Sequence, residues 1–143
     1  MSNQFETQLN ELQADMVSVC MEYCNQHCDE VFIHIIYENN GTFANFFFRI
    51  DGQMRMKSRL SDDGKIVAIS RQKKALSVIL NDAKEMRKIY KSNDHPVPTE
   101  LKLVYNYRTG QFKADYRYDV VVSDTKTDHS VSEAWFKQLA ERD

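Results

Sequence analysis

The chain has 143 residues, 42% of them hydrophobic and 28% charged, with a net charge of −2. That composition excludes a disordered or collagen-like chain and fits one globular domain, residues 1–143, large enough to bury a core without staples. The near-zero charge argues against a general nucleic-acid binder but hides a gradient, since residues 1–54 carry 8 acids against 1 base and residues 55–91 carry 4 against 11.

The first stretch, MSNQFETQLNELQAD, has neither the basic nor the apolar segment of a secretory signal. Within it begins a stripe of Phe5, Leu9, Leu12, Met16, Val19 and Tyr23, spaced by fours and threes, which predicts an amphipathic helix over about residues 3–28. VFIHIIYE, residues 31–38, reads as a strand that is largely apolar on both faces. Asn39-Asn40-Gly41 then signals a turn, TFANFFFRI (42–50) a second strand, and Asp51-Gly52 a second turn. In a shorter strand at 54–57, Met54 and Met56 alternate with Arg55 and Lys57.

For residues 58–69, Asp63-Gly64 leaves a further hairpin open. The preferred reading is an irregular crossing that drops Ile66, Val67 and Ile69 into the core. Ser70 is the expected N-cap of a second helix, whose stripe is Leu76, Ile79, Ala83, Met86 and Tyr90. Pro96 and Pro98 end that helix by about Asn93.

The clearest two-strand signal follows at residues 100–119. Leu101, Leu103, Tyr105 and Tyr107 share one face of the first arm, and Phe112, Ala114, Tyr116 and Tyr118 one face of the second, with mostly charged residues opposite. Arg108-Thr109-Gly110-Gln111 joins the arms, with Gly110 supplying the positive φ of a tight turn. The apolar face of this hairpin is expected under the first two helices, burying Tyr105 and Tyr116. Ser130-Val131-Ser132-Glu133 has the capping-box pattern of a last helix, with Val131, Trp135 and Leu139 as its buried stripe. The order α-β-β-β-α-β-β-α predicts an α+β domain with a mostly antiparallel, five-stranded sheet.

No residue set announces a reaction. Cys20 and Cys24, or Cys24 and Cys28, are spaced to offer two thiolates to one zinc ion from a helix face, with His27 beside them. Three cysteines at four-residue steps lie along a line, however, and a fourth ligand would have to come from elsewhere, such as His34. The plainer reading is three thiols packed as small apolar groups, with no metal and no other cofactor. Their odd number also suits a reducing compartment better than a disulfide framework, so the expected location is the cytoplasm. His34 reads as a hydrogen-bonded sheet histidine rather than a catalytic base. Asp115 and Asp119 lie about 13–14 Å apart along an extended strand, wider than the carboxyl pair of glycoside hydrolysis. No apolar run is long enough to span a bilayer, and no glycine-rich phosphate loop is present. The expectation is a protein that is not an enzyme and has no membrane partner.

Thr109-Gly110-Gln111-Phe112, Asp115-Tyr116-Arg117-Tyr118 and Ala134-Trp135-Phe136 occur in the order that marks the late hairpin and last helix of the YezG-like bacterial immunity proteins. The chain resembles that family in layout over nearly its whole length and in specific residues over about its last third. It departs at Pro98-Thr99-Glu100, where a tryptophan is usual, and at its Leu139–Asp143 ending. The resemblance implies a non-enzymatic cytoplasmic protein that binds the C-terminal effector domain of a toxin, often a nuclease, and contacts no nucleic acid itself. A positive nuclease cleft calls for acids on the inhibitor. Two groups offer them: Asp29, Glu30 and Glu38, or Asp115, Asp119, Asp124 and Asp128. The second is preferred, because its strand face alternates charge and its 120–130 connection is a loop able to adapt. The alternative is a small nucleic-acid-binding module using the basic 55–91 segment.

Overall fold

A computed structural model describes residues 3–38 and 41–142. The elements are α1 (Asn3–Tyr23), β1 (Glu30–Tyr37), β2 (Thr42–Ile50), β3 (Gln53–Met56), α2 (Ile69–Ser92), β4 (Glu100–Asn106), β5 (Phe112–Arg117) and α3 (Asp128–Glu141). They form the expected α+β domain. The sheet has the order β3-β2-β1-β4-β5, and all its pairings are antiparallel. The late hairpin therefore lies in the same sheet as the early meander, joined to it by β1 and β4.

Seven of the eight β1 residues are buried, because helices cover both sides of this central strand. Val31, Ile33, Ile35 and Tyr37 join Phe46, Phe48, Leu101 and Leu103 under the α1–α2 layer, where Met16, Ile79 and Met86 are fully buried. Tyr23 closes that layer, with ring centroids 5.2 Å from Phe46 and 5.9 Å from Phe48. On the other side Phe32 and Phe47 meet Trp135 and Leu139 of α3, with the Phe47 and Trp135 rings 5.3 Å apart. Each such side chain contributes about 1.5–3 kcal/mol by leaving water.

Turn chemistry behaves as its residues dictate. Asp51 and Gly52 both take positive φ, 52° and 80°, and the Asp29 carboxylate accepts from the Gly52 amide at 2.9 Å. Gly110 takes φ 77° between β4 and β5. The turn expected at Asn39-Asn40 lies outside the described residues.

Four local expectations are corrected. The first helix ends at Tyr23 rather than near 28, because Asn25 and Gln26 go left-handed and the Gln26 amide closes back on Met21 O at 2.8 Å. Ser70 is not a cap: α2 begins at Ile69 after Ala68, whose carbonyl accepts from the Arg71 and Gln72 amides. The crossing before α2 is irregular as expected, but of the three residues expected in the core Ile66 and Ile69 are 60% and 66% exposed and Val67 alone packs on it, beside Leu60. In α3 the N-cap is Thr127, three residues ahead of the expected box, and its side chain accepts from the Ser130 amide at 3.1 Å. Trp135 and Leu139 are buried as the stripe requires, whereas Val131 is half-buried.

Where α1 meets α2, the Asp82 carboxyl is buried beside Asp15. Burial, then a hydrogen bond with Asp15 and the charges of Asp15 and Glu85, raise its pKa to about 7. A carboxyl titrating higher in the folded state than in the unfolded one stabilises the fold in its protonated form. That contribution is complete below the unfolded value of about 3.9 and is lost as pH rises through about 7. Denaturant titrations across that window should show unfolding free energy falling with pH, and Asp82→Asn should flatten the dependence. Equal slopes in the two proteins would contradict this.

Candidate functional site

The sheet is wider than the helical layer above it. Leu101 and Leu103 of β4 are sealed by α1 and α2, but on β5 only Ala114 is even half-buried. Tyr107, Phe112, Tyr116 and Tyr118 are therefore 43%, 39%, 41% and 51% exposed. This corrects the expectation of a buried Tyr116, while Tyr105 is half-buried at the margin of the core. The reason is reach. The stripe of α1 is spent on β1 and β2 together with α2, and a polar contact ties it to β5, from Gln13 Nε2 to the Tyr116 hydroxyl at 2.9 Å. Between α1 and the hairpin lies an open cleft of about 460 Å³, lined by Ala14, Val17, Met21, Tyr105, Tyr107 and Phe112 among others.

On the opposite face the charged side of the hairpin runs in beneath α3. Glu100 and His34, 1% and 0% exposed, meet through Oε2 and Nε2 at 2.6 Å. The Trp135 ring seals them, 5.0 Å from the imidazole. His34 Nδ1 has no hydrogen-bond partner among the described residues. Arg117 lies 3.7 Å from Glu100 Oε1 and binds Asp119 through two nitrogens at 2.6 and 3.1 Å. Charge thus alternates outward along His34, Glu100, Arg117 and Asp119. Burial raises the Glu100 carboxyl, but the His34 hydrogen bond and the charges of His34, Lys102 and Arg117 outweigh it and hold the group below its ordinary range.

The four carboxylates singled out from the sequence occupy different settings. Asp115 is exposed on β5, opposite Lys102 in register. Asp119 is held by Arg117, which lowers its pKa. Asp124 is exposed in a tight turn closed by the Ser123 amide and Lys126 carbonyl at 2.8 Å. Asp128 opens α3, with its carboxylate on the His129 amide at 2.7 Å. The competing acidic group is largely neutralised within the chain, Asp29 by Arg108 at 2.8 Å and Glu30 by Arg49 at 3.2 Å.

Much of the basic 55–91 segment is likewise engaged. Arg71 lies over the Tyr23 ring and donates to its carbonyl, Arg87 reaches the Glu38 and Gly41 carbonyls, and Lys57 donates to Asn45 at 2.6 Å. Lys73, Lys74, Lys84 and Lys91 remain exposed on α2.

The three cysteines are buried free thiols. With α1 ending at Tyr23 they do not share one helix. Cys24 donates to Met21 O at 3.5 Å, and a hydrogen bond with Cys28 lowers its pKa to about 7. Among the described residues no three His, Cys, Asp or Glu side chains are grouped as metal ligands, and no helix is long and apolar enough to cross a membrane. No protein-family model matches this chain, and no curated protein matches it.

The sequence marked His34 as a hydrogen-bonded sheet histidine but gave no sign that Glu100 is its partner. Removing one member of a buried ion pair strands the other, so Glu100→Ala should lower stability by about 3 kcal/mol or more. Because the folded carboxyl titrates low, the loss should be complete above the unfolded value of about 4.3 and shrink on acidification through the lower folded value. A variant within about 1 kcal/mol of wild type at neutral pH would show that the pair does not hold β1 to β4.

Proposed function

We propose that this chain is an immunity protein, which binds a toxin effector domain in the cytoplasm and neutralises it by covering the active site or the substrate surface. The observation that carries this reading is the β4–β5 end of the molecule. There the sheet outruns its helices and leaves four large aromatic rings exposed, with Asp115 on the sheet face opposite Phe112 and Tyr116 and with Asp119 and Asp124 in the loop that follows. Exposed aromatics of this kind serve as interface anchors, and the acids give a surface complementary to a phosphate-binding cleft. A nuclease is therefore the toxin class that fits best. The same residues carry the resemblance to YezG-like immunity proteins.

The mode of action is steric rather than chemical. His34, the histidine with a carboxylate partner at hydrogen-bond distance, is sealed under Trp135, where no substrate reaches it. Asp119 and Asp124, with Asp128 at the start of α3 and Asp115 at the hairpin end, are the residues assigned to the toxin. Asp119 also orders Arg117, so the loop is partly preorganised before it meets a partner.

The test uses the toxin domain encoded beside this gene. Wild-type protein should bind it and protect cells that express it. Asp119→Lys with Asp124→Lys should weaken binding about tenfold or more, chiefly by slowing association at low salt. Wild type that neither binds nor protects would overturn the reading. Salt-sensitive binding to generic nucleic acid instead, abolished by neutralising Lys73, Lys74, Lys84 and Lys91, would put the nucleic-acid module in its place.

A further inference from the structure

We propose that β5 pairs antiparallel with β5 of a second copy of this chain, about a two-fold axis at Ala114, so that two five-stranded sheets become one. This goes beyond toxin binding and does not rest on it: of the groups assigned to the toxin, Asp119, Asp124 and Asp128 lie outside the paired segment, whereas Phe112, Asp115 and Tyr116 lie within it and would be shared between the two contacts.

The edge is open, and its direction is known. The Asn106 amide donates to Gln111 O at 2.8 Å in the ladder that sets Val104 opposite Lys113 and Lys102 opposite Asp115, and beyond its end the Thr99 amide reaches Arg117 O, also at 2.8 Å. Residues 111, 113, 115 and 117 therefore turn their backbone groups towards β4, and Phe112, Ala114 and Tyr116 turn theirs outward. No hydrogen bond from another described residue reaches those outward groups. The other edge, β3, has four residues; β5 has six, five of them exposed. Long open edges invite a further strand unless charge, proline or a bulge blocks them.

Charge on β5 selects the partner rather than blocking it. Pairing centred on Ala114 sets Lys113 of each copy opposite Asp115 of the other, twice by symmetry. It supplies Lys113 with the acid that Val104, its neighbour on β4, does not provide. On the other face the same register sets Phe112 opposite Tyr116, covering rings that are 39% and 41% exposed in the single chain. The outward-pointing residues 112, 114 and 116 meet one another, as hydrogen bonding requires. Neighbouring registers fail. Centred on Asp115, that acid faces itself and Lys113 faces Arg117. Centred on Tyr116, the pairing needs Asp119, which lies past the strand end and is already bound by Arg117. A two-fold normal to the sheet also keeps both α1 helices on one side, each beside its own cleft.

Sedimentation of the full chain at concentrations up to about 100 µM tests the proposal. Wild type should be a dimer, and a wild type that stays monomeric overturns it. Lys113→Asp and Asp115→Lys should each weaken dimerisation about tenfold or more, and the double variant K113D/D115K should restore it to within about threefold. A double variant no better than the single ones rules out this register. Ala114→Pro removes only an outward N–H and leaves the β4 ladder intact, so it should give a folded monomer with wild-type circular dichroism. A dimer that survives Ala114→Pro is built elsewhere and overturns the proposal. So does a monomer whose edge takes up a strand of another protein.

Discussion

The register of β4 against β1 rests on a buried charge pair. Strand β1 is covered on both faces and so is built almost wholly of apolar side chains, with His34 the polar exception inside it. An imidazole there needs a partner, and Glu100, two residues along in the β1–β4 register from the position opposite His34, provides one. A slip of one residue would turn Glu100 into the α1–α2 core and Leu101 out under α3, losing the pair and the packing together. The pair thus contributes specificity of alignment more than net stability, since an apolar pair of similar volume would avoid the desolvation cost altogether.

Sequence periodicity located the elements well because most of them obey a single period. The α2 stripe from Leu76 to Tyr90 marks one helix face and the alternation through 100–119 marks two unlike strand faces, so both elements read cleanly. The corrected points are those where tertiary context competes with local pattern. Ser70 and Ser130 look like caps, yet the chain enters its helices at Ala68 and Thr127, where the preceding loops set the direction. The aromatic face of β5 looks like core because alternation reports two unlike faces and says nothing of what covers either. Glu100 went unnoticed as a buried partner for the same reason. Its burial depends on α3, which folds back from residues 128–141 to lie over the inner half of the hairpin. The acidic residues from 115 to 128 were legible as a group, but that Asp119 is tied to Arg117 while Asp124 stands free follows from the path of the loop.

The two sides of the sheet divide the work. One carries a continuous core under two long helices, and the other a smaller aromatic cluster around Trp135. Neither layer extends over β5, so the strand is held by its ladder to β4, by Ala114 and by the Gln13–Tyr116 contact. A margin held so lightly can present aromatic rings and charges without disturbing the packing behind it, because few buried contacts depend on their positions. That separation of a rigid interior from an exposed edge suits the binding role proposed above.

The strand order has a consequence for how the chain acquires its shape. Strands β1 to β3 and strands β4 to β5 are two units joined by short connections, and β1 against β4 is the ladder that unites them. His34 and Glu100, which sit on that seam, are 66 residues apart in the chain, with α2 between them. Local hairpins close in microseconds, whereas a seam of that span carries the entropy of closing a long loop. Of the ladders in the sheet, β1 against β4 therefore carries the largest closure entropy. Helix α2, which packs on α1 and β2 while spanning the gap, shortens the search by holding the second half near the first.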